Sequence, residues 1–281
     1  MPAKIRVTAL QRLCVNDGPG VRTVVFLKGC YLACPWCCNP EAIHYNTEEY
    51  FDKRTCKYPA KSVVCRNCEL YGGKSLKIQC PLNSFEKTYE DYEVDELYDL
   101  LMRDEQLFRK NGGVTFSGGE PILQARAIKP LLEKLKRSGI HIAFETTLYA
   151  PCNHYEAVKE FVDYWLVDLK FQYGYIRNQD YNIGTESFET NLSDLQKSHK
   201  ETLYRMVIMA EVLTKTDAII EEMKIHHVDN VELLGYHALA ENKYIELKKT
   251  FHRFKMPTKD ELLTMCEALN TSNIKAHFIM I

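Results

Sequence analysis

The stretch VRTVVFLKGCYLACPWCC (residues 21–38) joins a predicted strand to a loop that contains four cysteines. Residues 21–29 are mostly apolar and rich in valine, which predicts a buried strand. The loop that follows carries Cys30, Cys34, Cys37 and Cys38 within nine residues. Clustered cysteines of this kind indicate metal ligands or catalytic thiols when the compartment keeps thiols reduced.

The composition of the chain is that of a globular protein. It has 281 residues, of which 46% are hydrophobic and 26% charged, and the net charge is −2. This balance argues against a protein that binds mainly nucleic acid or an anionic membrane. The first residues, MPAKIRVTAL, lack the apolar run of a signal peptide, and no apolar stretch is long enough to span a bilayer. We therefore expect a cytoplasmic location.

The cysteines are unevenly distributed. Of eleven, eight fall between residues 30 and 80, and we interpret the scattered Cys14, Cys152 and Cys266 as structural. The spacing C-x3-C-x2-C of Cys30, Cys34 and Cys37 provides three thiolates in one short loop. Three ligands on a 4Fe–4S cubane leave one iron open, whereas an electron-transfer cluster or a structural zinc ion takes four. Cys38 competes as a ligand, but Cys37 completes the spacing behind an aromatic residue.

Short apolar strands alternate with amphipathic helices along the chain. We predict strands at 21–29, 114–117, 141–147, 164–170, 202–209, 231–235 and 275–281. We predict helices at 93–112, 122–138, 153–162, 186–199, 216–227 and 258–270. This alternation indicates an α/β fold with a parallel sheet, open or curled toward a barrel. Residues 51–90 break the pattern and are interpreted as an insert, so that residues 1–50 and 91–281 form the main domain.

Unusual polar residues follow the ends of several predicted strands. They are Cys30 to Cys37, Gly118 to Glu120, Glu145, Asp168, Lys170 and His237. In a parallel α/β barrel the carboxyl ends of the strands form the active-site face, so we expect one site built from several strands. The alternative is that turns are simply polar.

The cysteine spacing, with Trp36 before the last cysteine, resembles the signature of the radical S-adenosylmethionine superfamily. Four stretches together resemble the glycyl radical enzyme activating enzymes: DGPGVRTVVFLKGC (17–30), GGVTFSGGEPILQ (112–124), YWLVDLK (164–170) and LLGYHALAENKY (233–244). The resemblance implies a partial (β/α)6 TIM-type barrel. It also implies a reduced 4Fe–4S cluster that cleaves S-adenosylmethionine to methionine and a 5′-deoxyadenosyl radical. This radical would take a hydrogen atom from a glycine of a partner enzyme.

The resemblance implies roles for individual residues. It places near S-adenosylmethionine Ser117, Gly118, Gly119, Glu120, Glu145, Asp168, Lys170, Arg205 and His237. It places Asp17 and Arg22 beside the incoming glycine-bearing segment. An internal salt bridge of Arg205, or a charge network at the barrel rim, is the alternative for the charged residues. The chain departs from the family pattern at Cys38, where relatives usually carry histidine, and after Arg205, where a Pro-Gly pair is missing.

The insert and the partners complete the interpretation. Cys56, Cys65, Cys68 and Cys80 can supply one four-thiolate site in a ferredoxin-like or degenerate module. This site would hold an auxiliary 4Fe–4S cluster, a zinc ion or no metal. The family implies flavodoxin or ferredoxin as electron donor and a glycyl radical enzyme as substrate, with no nucleic acid and no membrane. The alternatives are a radical S-adenosylmethionine enzyme with another substrate and a non-enzymatic iron–sulfur or zinc scaffold.

Overall fold

The computed structural model describes residues 4–52, 54–56, 80, 84–108, 111–171 and 184–280. In chain order its strands are β1 (Ile5–Cys14), β2 (Arg22–Leu27), β3 (Glu49–Phe51), β4 (Phe85–Lys87), β5 (Glu90–Tyr92), β6 (Gly113–Gly118), β7 (His141–Thr146), β8 (Tyr164–Asp168), β9 (Glu201–Ile208), β10 (Asn230–Gly235) and β11 (Lys275–Ile279). Its α-helices are α1 (Val94–Met102), α2 (Glu105–Phe108), α3 (Ala125–Arg137), α4 (Cys152–Val158), α5 (Thr185–Lys197), α6 (Thr216–Ile225), α7 (Glu241–Glu246) and α8 (Lys259–Thr271). Short 3-10 helices cover Pro40–Ala42, Pro121–Gln124, Lys159–Phe161 and Ala210–Lys215. Among these described helices, none is long and apolar enough to cross a membrane.

The strands within the described ranges form one large sheet and one small pair. The large sheet has the order β11-β10-β9-β8-β7-β6-β2-β1-β5. The run from β2 to β11 is parallel, while β1 lies antiparallel between β2 and β5. Successive parallel strands are neighbours in space, and helices connect them, as in one wall of a barrel. The predicted α/β fold with a partial barrel is confirmed.

Alternation along the strands separates an apolar face from a polar one. Phe116, Phe144 and Trp165 are register neighbours on β6, β7 and β8, and all three are fully buried. Their ring centroids lie 5.5 and 5.7 Å apart in succession. Because side chains alternate between faces of a strand, the residues that follow Phe116 and Phe144 point to the opposite face. These are Ser117 and Glu145, so the packing of the aromatic core directs polar groups into the barrel.

The helices agree with the predicted positions, and the differences lie at their ends. The predicted helix 93–112 is divided into α1 and the short α2, and α8 begins one residue later than predicted. The start of α8 is a capping box, in which Thr258 accepts from the Glu261 N–H at 3.2 Å and donates its own N–H to Glu261 at 2.7 Å. The strands β1, β3, β4 and β5 and the helix α7 were not predicted.

The two ends of the insert meet in a short hairpin-like pair. Strands β3 and β4 pair antiparallel, and the rings of Phe51 and Phe85 lie 5.2 Å apart. The chain then returns to the large sheet through β5, which begins at Glu90. Cys56 and Cys80 belong to the described residues, but Cys65 and Cys68 lie outside them, so the four-thiolate site stays a prediction.

Candidate functional site

A cavity of about 240 Å³ opens at the carboxyl ends of the parallel strands. It is lined by residues of the cysteine loop and of five strand ends. Of the predicted site residues it contains Cys30, Cys34, Cys37, Ser117, Gly118, Gly119, Glu145, Asp168, Lys170 and His237. Cys38 lines it as well. The structure therefore brings the cysteine loop together with polar residues that are up to 207 positions distant in the chain.

The cysteine loop is shaped by backbone hydrogen bonds. The Cys30 N–H donates to the Ile43 carbonyl at 2.8 Å, and the Cys37 N–H donates to the Cys34 carbonyl at 3.0 Å. Two further N–H groups point at sulfur, those of Leu32 toward Cys30 Sγ and of Asn39 toward Cys37 Sγ, each at 3.4 Å. Such N–H donors to thiolate sulfur help to set the reduction potential of iron–sulfur clusters.

The donor chemistry of the three thiols fits a 4Fe–4S cluster. Burial raises the pKa of Cys34 to about 11 and that of Cys37 to about 12, and it also raises the pKa of Cys30. Iron removes this cost because it takes the place of the proton. In the part of the chain that the structure describes, no three His, Cys, Asp or Glu side chains converge on a single metal ion. A cubane binds each thiolate at a different iron, so this spacing suits a cluster rather than one zinc ion.

The two glycines after β6 are required by backbone packing. A Cβ on Gly119 would lie 2.1 Å from the Gly29 carbonyl oxygen, and one on Gly118 would lie 2.3 Å from the Leu27 nitrogen. Gly118 also has a φ of 104°, which favours glycine. The glycines thus let β6 approach the start of the cysteine loop, whereas the sequence had suggested only close approach to a ligand.

Glu120 lies beneath the cavity rather than in its wall. Its carboxylate accepts hydrogen bonds from the Thr146 hydroxyl at 2.6 Å, from the Thr147 N–H at 2.9 Å and from the Thr147 hydroxyl at 2.8 Å. It also accepts from the Ile122 N–H at 3.2 Å, and the residue is fully buried. This side chain ties the glycine turn to the end of β7. Glu120 is absent from the cavity lining, and its predicted contact with S-adenosylmethionine stays a prediction.

Glu145 is held between a hydroxyl and a guanidinium. Ser117 donates its hydroxyl to one carboxylate oxygen, and Arg205 Nη1 lies 3.5 Å from the other. Burial is the main reason that the pKa of Glu145 is raised. Arg205 Nε lies 2.8 Å from Glu232, and Nη2 donates to the carbonyl of Asn16. Arg205 is absent from the described cavity lining and makes the internal salt bridges that were the alternative to the predicted contact with S-adenosylmethionine.

Asp168 and Lys170 form an ion pair inside the cavity wall. Lys170 Nζ donates to Asp168 Oδ2 and lies 5.9 Å from the ring centroid of Trp36. Burial acts to lower the pKa of Lys170, but the charges of Asp168 and Cys34 outweigh it and raise that pKa. Asp168 Oδ1 is buried without a hydrogen-bond partner in the described part of the chain. A buried acceptor in this state is costly, which makes it a ready contact for a cationic ligand group.

His237 and Cys38 lie together at the cavity. His237 Nε2 is 3.8 Å from Cys38 Sγ, and burial lowers the pKa of the imidazole. Cys38 stands where the family pattern has a histidine. In this protein it contacts a histidine, His237, which follows the end of β10. Lys243 and Tyr244 also contact this loop and were not singled out from the sequence. Their one signal was their place in the quoted stretch LLGYHALAENKY.

Asp17 and Arg22, which were predicted to face the incoming peptide, differ in burial. Arg22 is fully buried, and its guanidinium donates to the Thr115 hydroxyl at 2.6 Å, the Pro19 carbonyl at 2.9 Å and the Val114 carbonyl at 2.8 Å. Thr115 in turn donates to the Asp17 carbonyl at 2.6 Å. Arg22 therefore supports the DGPG loop from below and presents no donor at a surface. Burial raises the pKa of the half-exposed Asp17.

Comparison with known proteins identifies the family. The profile of a family described as "4Fe-4S single cluster domain" matches residues 16–188. A curated relative from Clostridioides difficile (strain CD196), "4-hydroxyphenylacetate decarboxylase activating enzyme", is 29% identical over 86% of this chain and 85% of its own. "Pyruvate formate-lyase 2-activating enzyme" of Escherichia coli (strain K12) is 29% identical over 96% of this chain and 91% of its own.

Solved structures agree on the architecture. The crystal structure of QueE from Escherichia coli superposes with a TM-score of 0.51 at 12% identity, covering 98% of this chain and 94% of that one. At this identity the likeness shows the fold alone. The resemblance to activating enzymes that the motifs predicted is confirmed by the curated relatives. Because the family profile covers more than half of its length, the chain belongs to the 4Fe-4S single cluster domain family.

Proposed function

We propose that this protein is a radical S-adenosylmethionine enzyme that activates a glycyl radical enzyme. The observation that carries the proposal is the single cavity that unites Cys30, Cys34 and Cys37 with the polar strand ends. When bound, a reduced cluster supplies one electron that splits S-adenosylmethionine into methionine and a 5′-deoxyadenosyl radical. The radical takes a hydrogen atom from a glycine Cα of the partner and becomes 5′-deoxyadenosine, which leaves the unpaired electron on the glycine.

The residues of the cavity divide into cluster ligands and ligand-orienting groups. Cys30, Cys34 and Cys37 would hold three irons and leave the fourth for the amino and carboxylate groups of S-adenosylmethionine. The unpartnered Asp168 Oδ1 would accept from a cationic group of this ligand, and Lys170 holds the other Asp168 oxygen in place. This arrangement orients the Asp168 carboxylate before the ligand arrives.

A second set of residues keeps the cavity wall in shape. The carboxylate of Glu120 fixes the turn after β6 by four hydrogen bonds, and Ser117 orients Glu145. Arg205 on β9 pairs with Glu232 of the neighbouring β10 and with Glu145 of β7, two strands away in the sheet. We propose that these groups act through the backbone they hold, and that His237 contacts the bound cofactor beside Cys38.

The partner and the electron donor belong to the proposal as well. The glycine-bearing segment would enter next to the DGPG loop that carries Asp17, and a flavodoxin or ferredoxin in the cytoplasm would reduce the cluster. The curated relatives are named after different partner enzymes at similar identity, from 29% for the decarboxylase activator to 27% for "(2S)-3-sulfopropanediol dehydratase activating enzyme" of Klebsiella oxytoca. Identity alone therefore does not select one partner.

The decisive experiment measures cleavage of S-adenosylmethionine under anaerobic conditions. The protein is reconstituted with iron and sulfide, reduced, mixed with S-adenosylmethionine and assayed for 5′-deoxyadenosine. Cys34→Ala removes a cavity thiol, and Cys152→Ala is the matched control because Cys152 begins α4, away from the cavity lining. Wild type and Cys152→Ala should form product, and Cys34→Ala should form none.

Activation itself is tested with candidate partner enzymes. Each is incubated with the reduced protein and S-adenosylmethionine, and the glycyl radical is detected by electron paramagnetic resonance. A doublet on one partner, with one 5′-deoxyadenosine formed per radical, is the expected result. Cleavage without a radical on any glycyl radical enzyme would favour another substrate, and equal product from Cys34→Ala would contradict the cluster assignment.

A further inference from the structure

The backbone that follows the third cluster cysteine is held by side chains from the far end of the chain. The Tyr244 hydroxyl donates to the Cys37 carbonyl at 3.1 Å. The Lys243 ammonium donates to the Cys38 carbonyl at 3.2 Å and to the Glu41 carboxylate at 2.6 Å. Both donors lie on α7, outside the range 16–188 that the family profile matches.

Two more lysines extend this set of contacts along the loop. Lys249 Nζ donates to the Pro40 carbonyl at 2.7 Å and pairs with Glu48 at 2.7 Å. Lys28 Nζ, which is fully buried, donates to the Glu41 carbonyl at 2.6 Å. The backbone carbonyls of residues 37, 38, 40 and 41 therefore each accept a hydrogen bond from a tyrosine or lysine side chain, which restricts their rotation. Such over-determined backbone holds a ligand side chain in one orientation.

The contacts at residues 37 and 38 are the ones closest to the cluster site. Tyr244 is buried, and its hydroxyl reaches the carbonyl of the residue that carries the third thiol. Lys243 keeps 39% of its side chain exposed, while its partner Glu41 is 8% exposed. The ammonium is the cationic group that reaches the peptide after the last ligand.

We propose that Tyr244 and Lys243 are positioning residues of the iron–sulfur site, which fix the Cys37 ligand and raise the reduction potential of the cluster. The proposal rests on the cluster of the proposed function. A hydrogen bond to the Cys37 carbonyl holds the peptide that carries the thiolate, so its loss loosens one of three ligands. A positive charge beside the loop favours the reduced cluster, which carries one more electron than the oxidised form.

The test measures the cluster directly, in the full-length protein reconstituted under anaerobic conditions. A redox titration followed by electron paramagnetic resonance compares Lys243→Met and Lys243→Arg with wild type. Lys248→Met is the matched control, because Lys248 packs over the Phe51 and Phe85 rings and has the same charge. Tyr244→Phe removes the hydroxyl but keeps the ring, whose centroid lies 5.2 Å from that of Phe251. For this variant and wild type, the rate of iron loss to a chelator is measured.

We expect Lys243→Met to lower the ratio of reduced to oxidised cluster at a fixed potential by about threefold or more. Lys243→Arg and Lys248→Met should behave as wild type. Tyr244→Phe should release iron about fivefold faster, as for the loss of one ordinary hydrogen bond. The Lys243 series decides the question by itself if Tyr244→Phe does not fold.

The inference is overturned if Lys243→Met titrates like Lys248→Met, or if Lys243→Arg shifts the potential as much as Lys243→Met. It is also overturned if Tyr244→Phe holds iron as firmly as wild type. A wild-type protein that assembles no cluster would refute the proposed function, and this inference with it. A loaded wild type with unaffected variants refutes the positioning role alone, so the two failures are distinguishable.

Discussion

Replacing Gly119 by alanine should displace the cluster loop and remove the cluster before it unfolds the protein. The new Cβ would lie 2.1 Å from the Gly29 oxygen and 2.7 Å from the Ala42 oxygen. Real Cβ contacts essentially never fall below 3.0 Å, so the Gly29 carbonyl must retreat by about 1 Å. That carbonyl accepts the Glu120 N–H at 2.8 Å and belongs to the residue before Cys30. The displacement is therefore passed directly to Cys30, the first of the proposed cluster ligands.

The expected loss of stability follows from overpacking, and the expected loss of activity follows from misplacement of the cluster loop. Overpacking of a tightly packed site costs about 1–3 kcal/mol of unfolding free energy. A misplacement of about 1 Å at a reacting centre costs about 100-fold in rate. Gly139→Ala is the matched control, since Gly139 has a φ of 72° but no atom within 4 Å of a new Cβ. This control loses about 1–2 kcal/mol through backbone strain alone.

The assay combines three measurements on Gly119→Ala and Gly139→Ala: thermal unfolding, iron content after reconstitution, and 5′-deoxyadenosine formation. Both variants should be destabilised by comparable amounts, but only Gly119→Ala should lose iron and at least 100-fold of its cleavage rate. Full iron content in Gly119→Ala with loss of cleavage would refute the packing argument and assign Gly119 to contact with the cofactor. Equal iron loss in both variants would show a general effect of stability.

Three further outcomes are expected. Cys37→Ala should prevent cluster assembly while Cys38→Ala retains it, as read from iron content and the visible absorption spectrum; the reverse would exchange their roles. If the insert holds an auxiliary cluster, the double change Cys65→Ser and Cys68→Ser should lower the iron content from about eight to about four atoms per chain, and an unchanged content would refute that site. Burial lowers the pKa of His141, so the unfolded chain binds the additional proton, and the free energy of unfolding should fall as pH drops below 6.5, the usual value of this group. His141→Gln should reduce that slope in denaturant titrations, and an unaltered slope would contradict the assignment.

Local patterns were sufficient for most of the fold because each parallel strand and its helix carry their own periodicity. The predicted strand 114–117 and helix 122–138 were read from neighbouring residues, and the structure has them at Gly113–Gly118 and Ala125–Arg137. Strand β1 lacked such a signal, since it lies between two antiparallel neighbours and alternates irregularly. Helix α7 has six residues, and it packs against the cluster loop rather than forming a long apolar stripe.

In the candidate site, too, local features could be predicted from the sequence and long-range contacts could not. The spacing of Cys30, Cys34 and Cys37 is a local property of one loop, and so the sequence could predict that the three thiols lie together at one cavity. The orientation of Glu120 could not, because its four donors come from residues that lie up to 27 positions away. From the sequence alone, a carboxylate after two glycines is compatible both with binding a ligand and with holding the backbone of a neighbouring strand. The position of that strand decides between them.

By itself, the sequence determined the alternation of strands and helices, the three thiols in one loop and the carboxyl-edge location of the polar residues. Tertiary structure alone decided which charges face the cavity and which satisfy one another inside the wall. Arg205 illustrates this, because its partners Glu145 and Glu232 lie on two different strands. Tyr244 illustrates it as well, since it reaches the carbonyl of Cys37 across 207 residues of chain. The physical reason is that a buried charge or donor takes its partner from space, and strand register, not sequence distance, brings that partner within hydrogen-bonding range.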